Sequence, residues 1–411
     1  MGTETILMKQ FTLLLSILFS PIIYGQFGCT DSQASNFNAS ASINDGSCLY
    51  NPTNYSLNLV ANLVDTLSEN SGLVWAAGKL YTFNDSGSGT KVYEVMANGT
   101  IIRTIHIANS TNVDWEAMTS DSTYFYLGDF GNNNGNRTDL CIYRLLKSEV
   151  CNNTIDTVVA EKMNFSWSDQ LDFTSAFNAN DFDCEAFYAT EDSLFLFSKN
   201  WVDLKTKCYA LPNYWTDTLN ATLSSQFDVD GLITDACKDT INDRIYLLGY
   251  KNNGSNFYTS FIWCLWDHAS NFIFSGNKRR IEIGNVLTVS QTEGIALSDN
   301  GTAYVSAEKV INIITIPAKL FTFNFSAYFE ETNGLESLSN ESPYQLSNIL
   351  INEGIIELAI NVPFREVSIE DIQGKRIMEI ENKVSRLPIN DFHGLYFLRI
   401  DNNTYPILLS Y

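Results

Sequence analysis

Between residues 70 and 310 the chain alternates short apolar, aromatic-rich runs with clusters of Gly, Asn and Asp. The clearest stretch is 112–144. There a short strand holds Trp115 and Glu116, a turn falls at Asp121-Ser122, an aromatic strand covers 124–127, and a third strand covers 141–145. Runs of about five residues bounded by turn formers are a hairpin signature. The phrase recurs. Aligned on Glu116, four other segments place Ser71, Glu185, Thr234 or Asp235, and Glu293 at the same position. A repeating unit of roughly 40–50 residues, each able to supply four strands, predicts a β-propeller. Fourth strands are expected over 100–107, 158–165, 221–229 and 278–283. The last unit supplies only three before Pro317, and an orphan strand over 55–67 is placed to complete it. The prediction is an all-β chain with a five-bladed propeller over 54–320. Six blades is the alternative, if a degenerate blade occupies the longest gap. Residues 321–344 are polar and aperiodic and read as a linker. Alternation then resumes over 355–362, 366–372, 376–380 and 396–400, punctuated by Gly374 and Gly394.

Hydrophobic residues make up 45% of the 411, enough for a substantial core. The formal net charge of −22 excludes nucleic acid as a partner, since phosphate binding needs clustered Lys and Arg. An acidic surface attracts cations. At the N-terminus, Lys9, the apolar run 11–23 and Gly25 read as a secretory signal over 1–25. That run is too short to span a bilayer, and no other segment is long and apolar enough, so the mature chain has no transmembrane segment. Export permits oxidation of the eight cysteines. Cys141 and Cys151 are close enough in sequence to pair; spacing leaves the other propeller cysteines unassigned. No CxxC pattern is present and there are three histidines, which excludes a zinc site. A monomer is expected.

Residues 28–50 (GCTDSQASNFNASASINDGSCLY) resemble a short module of exported proteins of marine Bacteroidetes. The resemblance implies that Cys29 and Cys48 pair. A segment of this size builds no core of its own, and a disulfide would contribute about 3 kcal/mol. It is expected to fold independently of the propeller. Asp31, Asn36, Asn38 and Asp45 could ligate calcium or simply form Asx turns. The phrases NVDWEAM, LFSKNW, NKRRIEI and QTEGIAL resemble a group of secreted Bacteroidetes propellers. More distantly, the Glu-Gly-Ile-Ala phrase at Glu293 looks like inner-strand motifs of gluconolactonase-like and esterase-like phytase propellers. In those families an inner-strand Glu binds a divalent metal; only Glu293 matches fully. Residues 345–411 carry VSIEDIQGKRIMEI and LPINDFHGLYFLRI, which resemble the C-terminal sorting domain of the type IX secretion system, a small β-sandwich. That implies the type IX machinery as a partner and a secreted or outer-membrane-surface location. The chain departs from the family at its end, NNTYPILLSY, which lacks the usual basic strand.

Blade geometry yields candidate site residues without any family. The inner strand and its neighbour are antiparallel, so the start of one and the end of the other lie at the same end of the blade. Glu116 is thereby matched with Asp129, Ser71 with Asn84 and Asp85, Glu185 with Lys199 and Asn200, and Glu293 with Glu308. Around the ring these converge on one mouth of the central channel. Several carboxylates on one axis need a counter-ion. Ca²⁺ is the simplest, with Glu116, Glu185, Glu293, Asp85 and Asp129 as its candidate ligands. Lys199, Arg137 and Arg280 are rival counter-charges. Asn84, Asn132, Arg137, Lys199 and Asn200 are the candidate ligand-binding residues around them. Asp114-Trp115 reads as structural, with Trp filling space between blades.

No GxSxG, P-loop or HExxH motif is present, and His106, His268 and His393 are scattered. The expectation is a protein that binds an extracellular ligand, such as a glycan or peptide, at the channel mouth. The alternative is a metal-dependent hydrolase of the lactonase, esterase or phytase kind. Scarce Lys and Arg at the mouth argue against phosphoester chemistry, and catalysis is left open.

Overall fold

A computed structural model describes residues 26–254, 257–269, 272–311 and 315–329, together with segments of 349–409. The chain divides into two units, Met1–Thr332 and Asn333–Tyr411. The first is a five-bladed propeller. Blade 1 is built from Asn70–Ala76, Lys79–Asn84, Lys91–Val95 and Ile101–Ala108. Blade 2 uses Trp115–Ser120, Tyr124–Asp129, Cys141–Leu146 and Glu161–Trp167. Blade 3 uses Asp183–Ala189, Ser193–Lys199, Thr206–Pro212 and Thr218–Phe227. Blade 4 uses Leu232–Asp239, Arg244–Asn252, Tyr258–Trp266 and Asn277–Asn285. Blade 5 uses Gln291–Leu297, Thr302–Glu308 and Lys319–Asn324. Its fourth strand is Asn58–Asn62, from ahead of blade 1, pairing antiparallel with Lys319–Asn324. The orphan strand thus closes the ring as expected. The five inner strands pack against one another in sequence, and that of blade 5 against that of blade 1. This decides for five blades.

The blades pack through aromatic side chains, as the hydrophobic pattern requires. Trp115 is fully buried, edge-on to Phe83 of blade 1 at 5.6 Å, with its indole N–H donating to the Thr111 carbonyl at 2.7 Å. Burying such a side chain contributes about 1.5–3 kcal/mol. The expected space-filling role of this Trp is borne out.

Three features differ from expectation. The fourth strand of blade 2 starts at Glu161, because Thr157–Val159 pairs instead with the outer edge of blade 1. The outer strands of blades 2 and 3 pair in parallel, joining the two into one eight-stranded sheet. The propeller runs past 320: Phe321, Phe323 and Phe325 are buried, and Phe325 stacks on Tyr246 at 3.9 Å. Phe329 lies against Trp266 at 5.0 Å and beneath Arg244 at 3.8 Å. Five of the nine residues of 321–329 are aromatic, which their polar neighbours disguised.

Cys29 and Cys48 form a disulfide. The six propeller cysteines are unpaired, Cys141 and Cys151 among them. The disulfide module does not stand apart. Tyr50 packs on Trp266 at 5.6 Å, Arg279 donates to Gln33 at 2.6 Å, and Thr53–Asn54 pairs with Ile281–Glu282 of blade 4. Its polar residues are spent on turns and bridges. The Asp31 carboxylate accepts from Gln33 N and the Tyr50 hydroxyl, Asn36 spans Ser47 and Leu49, and Asn38 and Asp45 accept from Ser40 N and Ser47 N. The Asx-turn reading fits them.

In the second unit, antiparallel sheets of three and four strands make up the small β-sandwich. Most of 333–365, together with 371–374 and 389–393, lie outside the described residues, as do the expected signal at 1–25 and most of the expected linker. Among the described residues no helix is long and apolar enough to cross a membrane.

Candidate functional site

Each inner strand breaks register with its neighbour at one residue. Pairing skips Gly72 in blade 1, Glu116 in blade 2, Glu185 in blade 3, Thr234 in blade 4 and Glu293 in blade 5. Such a bulge leaves the extra residue unpaired and re-aims its side chain. Here it turns three glutamates from three blades into one cavity of about 300 Å³ at a channel mouth. Blade 4 is settled in favour of Thr234, whose hydroxyl donates to the Thr292 carbonyl of blade 5. Asp235 instead accepts from Ala236 N and, across to blade 5, from Ile295 N. In blade 1 the equivalent residue is Gly72 rather than Ser71. Its φ is +57°, and a Cβ there would meet Met118 N at 2.7 Å. Ser71 still lines the cavity and donates to the Glu116 carbonyl at 2.6 Å.

The ends of the second strands supply Asp85, Lys199 and Glu308 to the same cavity. Asp129 is not among its lining residues. Its carboxylate accepts from Asp114 N at 3.0 Å and Val113 N at 3.2 Å and pairs with Arg137 at 2.9 Å. It holds the loop entering blade 2, and its lone pairs are used there. Arg137 is also bound to Asp139 and the Gly131 carbonyl. Asn132 is buried, bridging Arg137 N and the Phe182 carbonyl. Asn84 donates to Thr66 O, and Asn200 caps Val202 N and bonds Asp203. Of the five candidate ligand-binding residues only Lys199 faces the cavity; the others shape its loops. Arg280 serves Glu282 and the Val229 carbonyl on the outer part of blade 4.

The sequence reading missed Trp201, Tyr250 and Tyr258 and took Asp114 as structural; all four line the cavity. Asp114 was legible two residues before Glu116, and Trp201 closes the phrase LFSKNW. Asp114 and Glu116 crowd together because position 131 is glycine. A Cβ there would meet Asp114 Oδ2 at 2.4 Å and Glu116 Oε1 at 2.5 Å.

Six carboxyl groups, Asp85, Asp114, Glu116, Glu185, Glu293 and Glu308, therefore face one ammonium, Lys199. Lys199 Nζ is ion-paired with Glu185 and lies 5.2 Å from each of the Trp201 and Tyr250 ring centres. Burial opposes its charge, but Glu185, Tyr250 and Glu293 outweigh that and hold it well above the usual lysine range. The carboxyls respond the other way. Burial, then the charges of Glu185 and Asp114, push Glu116 well up. Burial and Glu308 raise Glu293 to about 8, despite Lys199. Burial and Asp85 raise Glu308 to about 8. Asp85 rises to about 7 through burial and Glu69, and Asp114 to about 6 through burial and Asp183. At neutral pH the cavity is a partly protonated acid cluster around one cation. Among the described residues no group of three or more His, Cys, Asp or Glu is arranged to hold a metal ion. Lys199 supplies one positive charge to this cluster of six carboxyls.

The fold and this mouth define a five-bladed β-propeller with an acidic, aromatic-walled cavity. No family model matches the chain, and no curated protein matches it. Solved structures similar to it include a gluconolactonase from Xanthomonas campestris, with TM-score 0.35 and 11% identity over 64% of this chain and 87% of that one. A GH43 β-1,3-galactosidase gives 0.39 and 9%, over 65% and 94%. A Bombyx mori GH32 β-fructofuranosidase gives 0.39 and 10%, over 84% and 79%. Likeness at this level carries no argument about activity, and the strand pairing itself defines the propeller.

Proposed function

We propose that this chain is an exported propeller that binds an extracellular ligand in the cavity formed by Glu116, Glu185, Lys199 and Glu293. One observation carries the reading. Glu116 is 8% exposed and lines the cavity, and no hydrogen bond to its carboxyl is found among the described residues. A cavity-facing carboxyl that no protein donor engages keeps its lone pairs for a ligand. A ligand can hydrogen-bond it, and Trp201, Tyr250 and Tyr258 offer rings to pack against. The test is tryptophan fluorescence of the mature chain, read at Trp201, against panels of glycans and peptides. A saturable change that Tyr250→Ala weakens about tenfold supports the site. Binding that ignores Tyr250→Ala and Glu116→Gln places the ligand elsewhere. Turnover of lactones or esters, lost in Glu116→Gln, would favour the hydrolase alternative.

Export and surface delivery rest on the N-terminal apolar run and the sorting-domain phrases. A chain ending at Thr332 is expected to fold and to stay in the periplasm. Cell fractionation that finds it at the surface would refute the role given to 345–411.

A further inference from the structure

We propose that the cavity receives the basic side chain of a polypeptide, a lysine or arginine flanked by apolar residues. The inference rests on the ligand-site reading above and names the ligand's chemistry. Three features support it. The charge balance is uneven: Asp85, Asp114, Glu116, Glu185, Glu293 and Glu308 surround only Lys199. Lys199 also shows how the cavity accommodates a cation, with Glu185 as its partner and the Trp201 and Tyr250 rings each 5.2 Å from Nζ. Carboxylates and aromatic faces are the two surfaces that recognise an ammonium or guanidinium. The Asp114–Glu116 pair is gathered at Gly131, and Glu116, 8% exposed, has no hydrogen bond to its carboxyl among the described residues.

The third feature is the apolar surface of the segments that line the cavity. Val113, Phe177, Val202 and Phe257 are 49%, 68%, 66% and 39% exposed. Each is next in sequence to a cavity-lining residue: Asp114, Asn178, Trp201 and Tyr258 respectively. Exposed apolar side chains on these segments suit a basic residue with apolar neighbours better than a small ion.

Charge linkage gives the inference a signature. A cation binds the ionised carboxyls, so its entry releases protons from Asp114, Glu116, Asp85, Glu293 and Glu308. Affinity then rises with pH across the range in which these groups titrate, about 6 for Asp114, about 7 for Asp85 and about 8 for Glu293 and Glu308. A ligand lysine stays charged throughout, with its own pKa near ~10.4.

The experiment is calorimetric titration of the mature chain with capped peptide pools. Each pool has Lys, Arg, Nε-acetyl-lysine or Glu fixed at the centre and apolar flanks. The Lys and Arg pools are expected to bind about tenfold or more tightly than the acetyl-lysine pool, with proton release seen as a dependence on buffer ionisation enthalpy. Affinity should rise between pH 6 and pH 8.5. Glu116→Gln and Asp114→Asn, each checked for an unchanged melting temperature, should weaken binding about tenfold, while the exposed Glu161→Gln should not. Equal binding of the Lys and acetyl-lysine pools overturns the proposal. Glycan or Ca²⁺ binding that depends on Glu116, without peptide binding, overturns it and preserves the ligand site. Silence of every probe at the cavity defeats both.

Discussion

Of the clusters of buried charge in this propeller, two are built on opposite terms. In blade 1, Glu94 is 1% exposed and both of its oxygens are taken, one by Lys79 and the other by Arg103 at 2.6 Å. Arg103 spends its remaining donors on the carbonyls of Val150, Asn152 and Ile155. Every strong group there has a partner. At the channel mouth, six carboxyls share one ammonium, and Glu116 is left without a partner among the described residues. Burial is common to both; satisfaction is not. A saturated ionic cluster is a structural joint, whereas an unsaturated one holds interaction energy in reserve for a ligand.

The largest test of that contrast is Arg103→Met. It leaves Glu94 with one partner and three carbonyls bare, and should cost about 3–5 kcal/mol in denaturant unfolding. A loss below about 1 kcal/mol would show that the joint is dispensable. The second test is pH. The cavity carboxyls have folded-state pKa values above their ordinary ones, so the folded chain binds more protons than the unfolded chain. The contribution of these groups should therefore be full below about pH 4 and be lost as pH rises through their folded values of about 6 to 8, by about 1.4 kcal/mol per pH unit for each proton the folded chain holds in excess of the unfolded one. Glu308→Gln should flatten the slope; a stability that rises over that interval contradicts the assignment. The smallest expected effect is Glu116→Gln. Removing an unpartnered acid should change stability by less than about 1 kcal/mol, with any change at pH 8 in the stabilising direction. A large loss would mean that Glu116 is as much a joint as Glu94.

The repeat was legible because every blade reuses one register. That register carried Glu116, Glu185 and Glu293 to a common mouth, and Asp85, Lys199 and Glu308 with them. The bulge was not legible, since an extra residue in a ladder leaves no mark on apolar alternation; hence Ser71 was aligned where Gly72 stands. Asp129 ends its strand where a site residue would. Its partner, Arg137, lies in a loop whose path sequence order does not fix. Nothing in the sequence marked Tyr250 and Tyr258 as site residues, because strand period alone does not tell the channel wall from the blade interior.

Ring closure by Asn58–Asn62 also sets an order of events for folding. The strand that completes blade 5 is made before the other strands of the five blades, and its partner Lys319–Asn324 after them. Until the last strand emerges, the first is an unpaired edge, open to wrong partners. Contacts this distant in sequence slow folding more than they cost stability. Blade 4 shortens the search. By binding the disulfide module and pairing with Thr53–Asn54, it anchors the chain four residues before the closing strand begins, so that the final step is the local docking of a tethered segment.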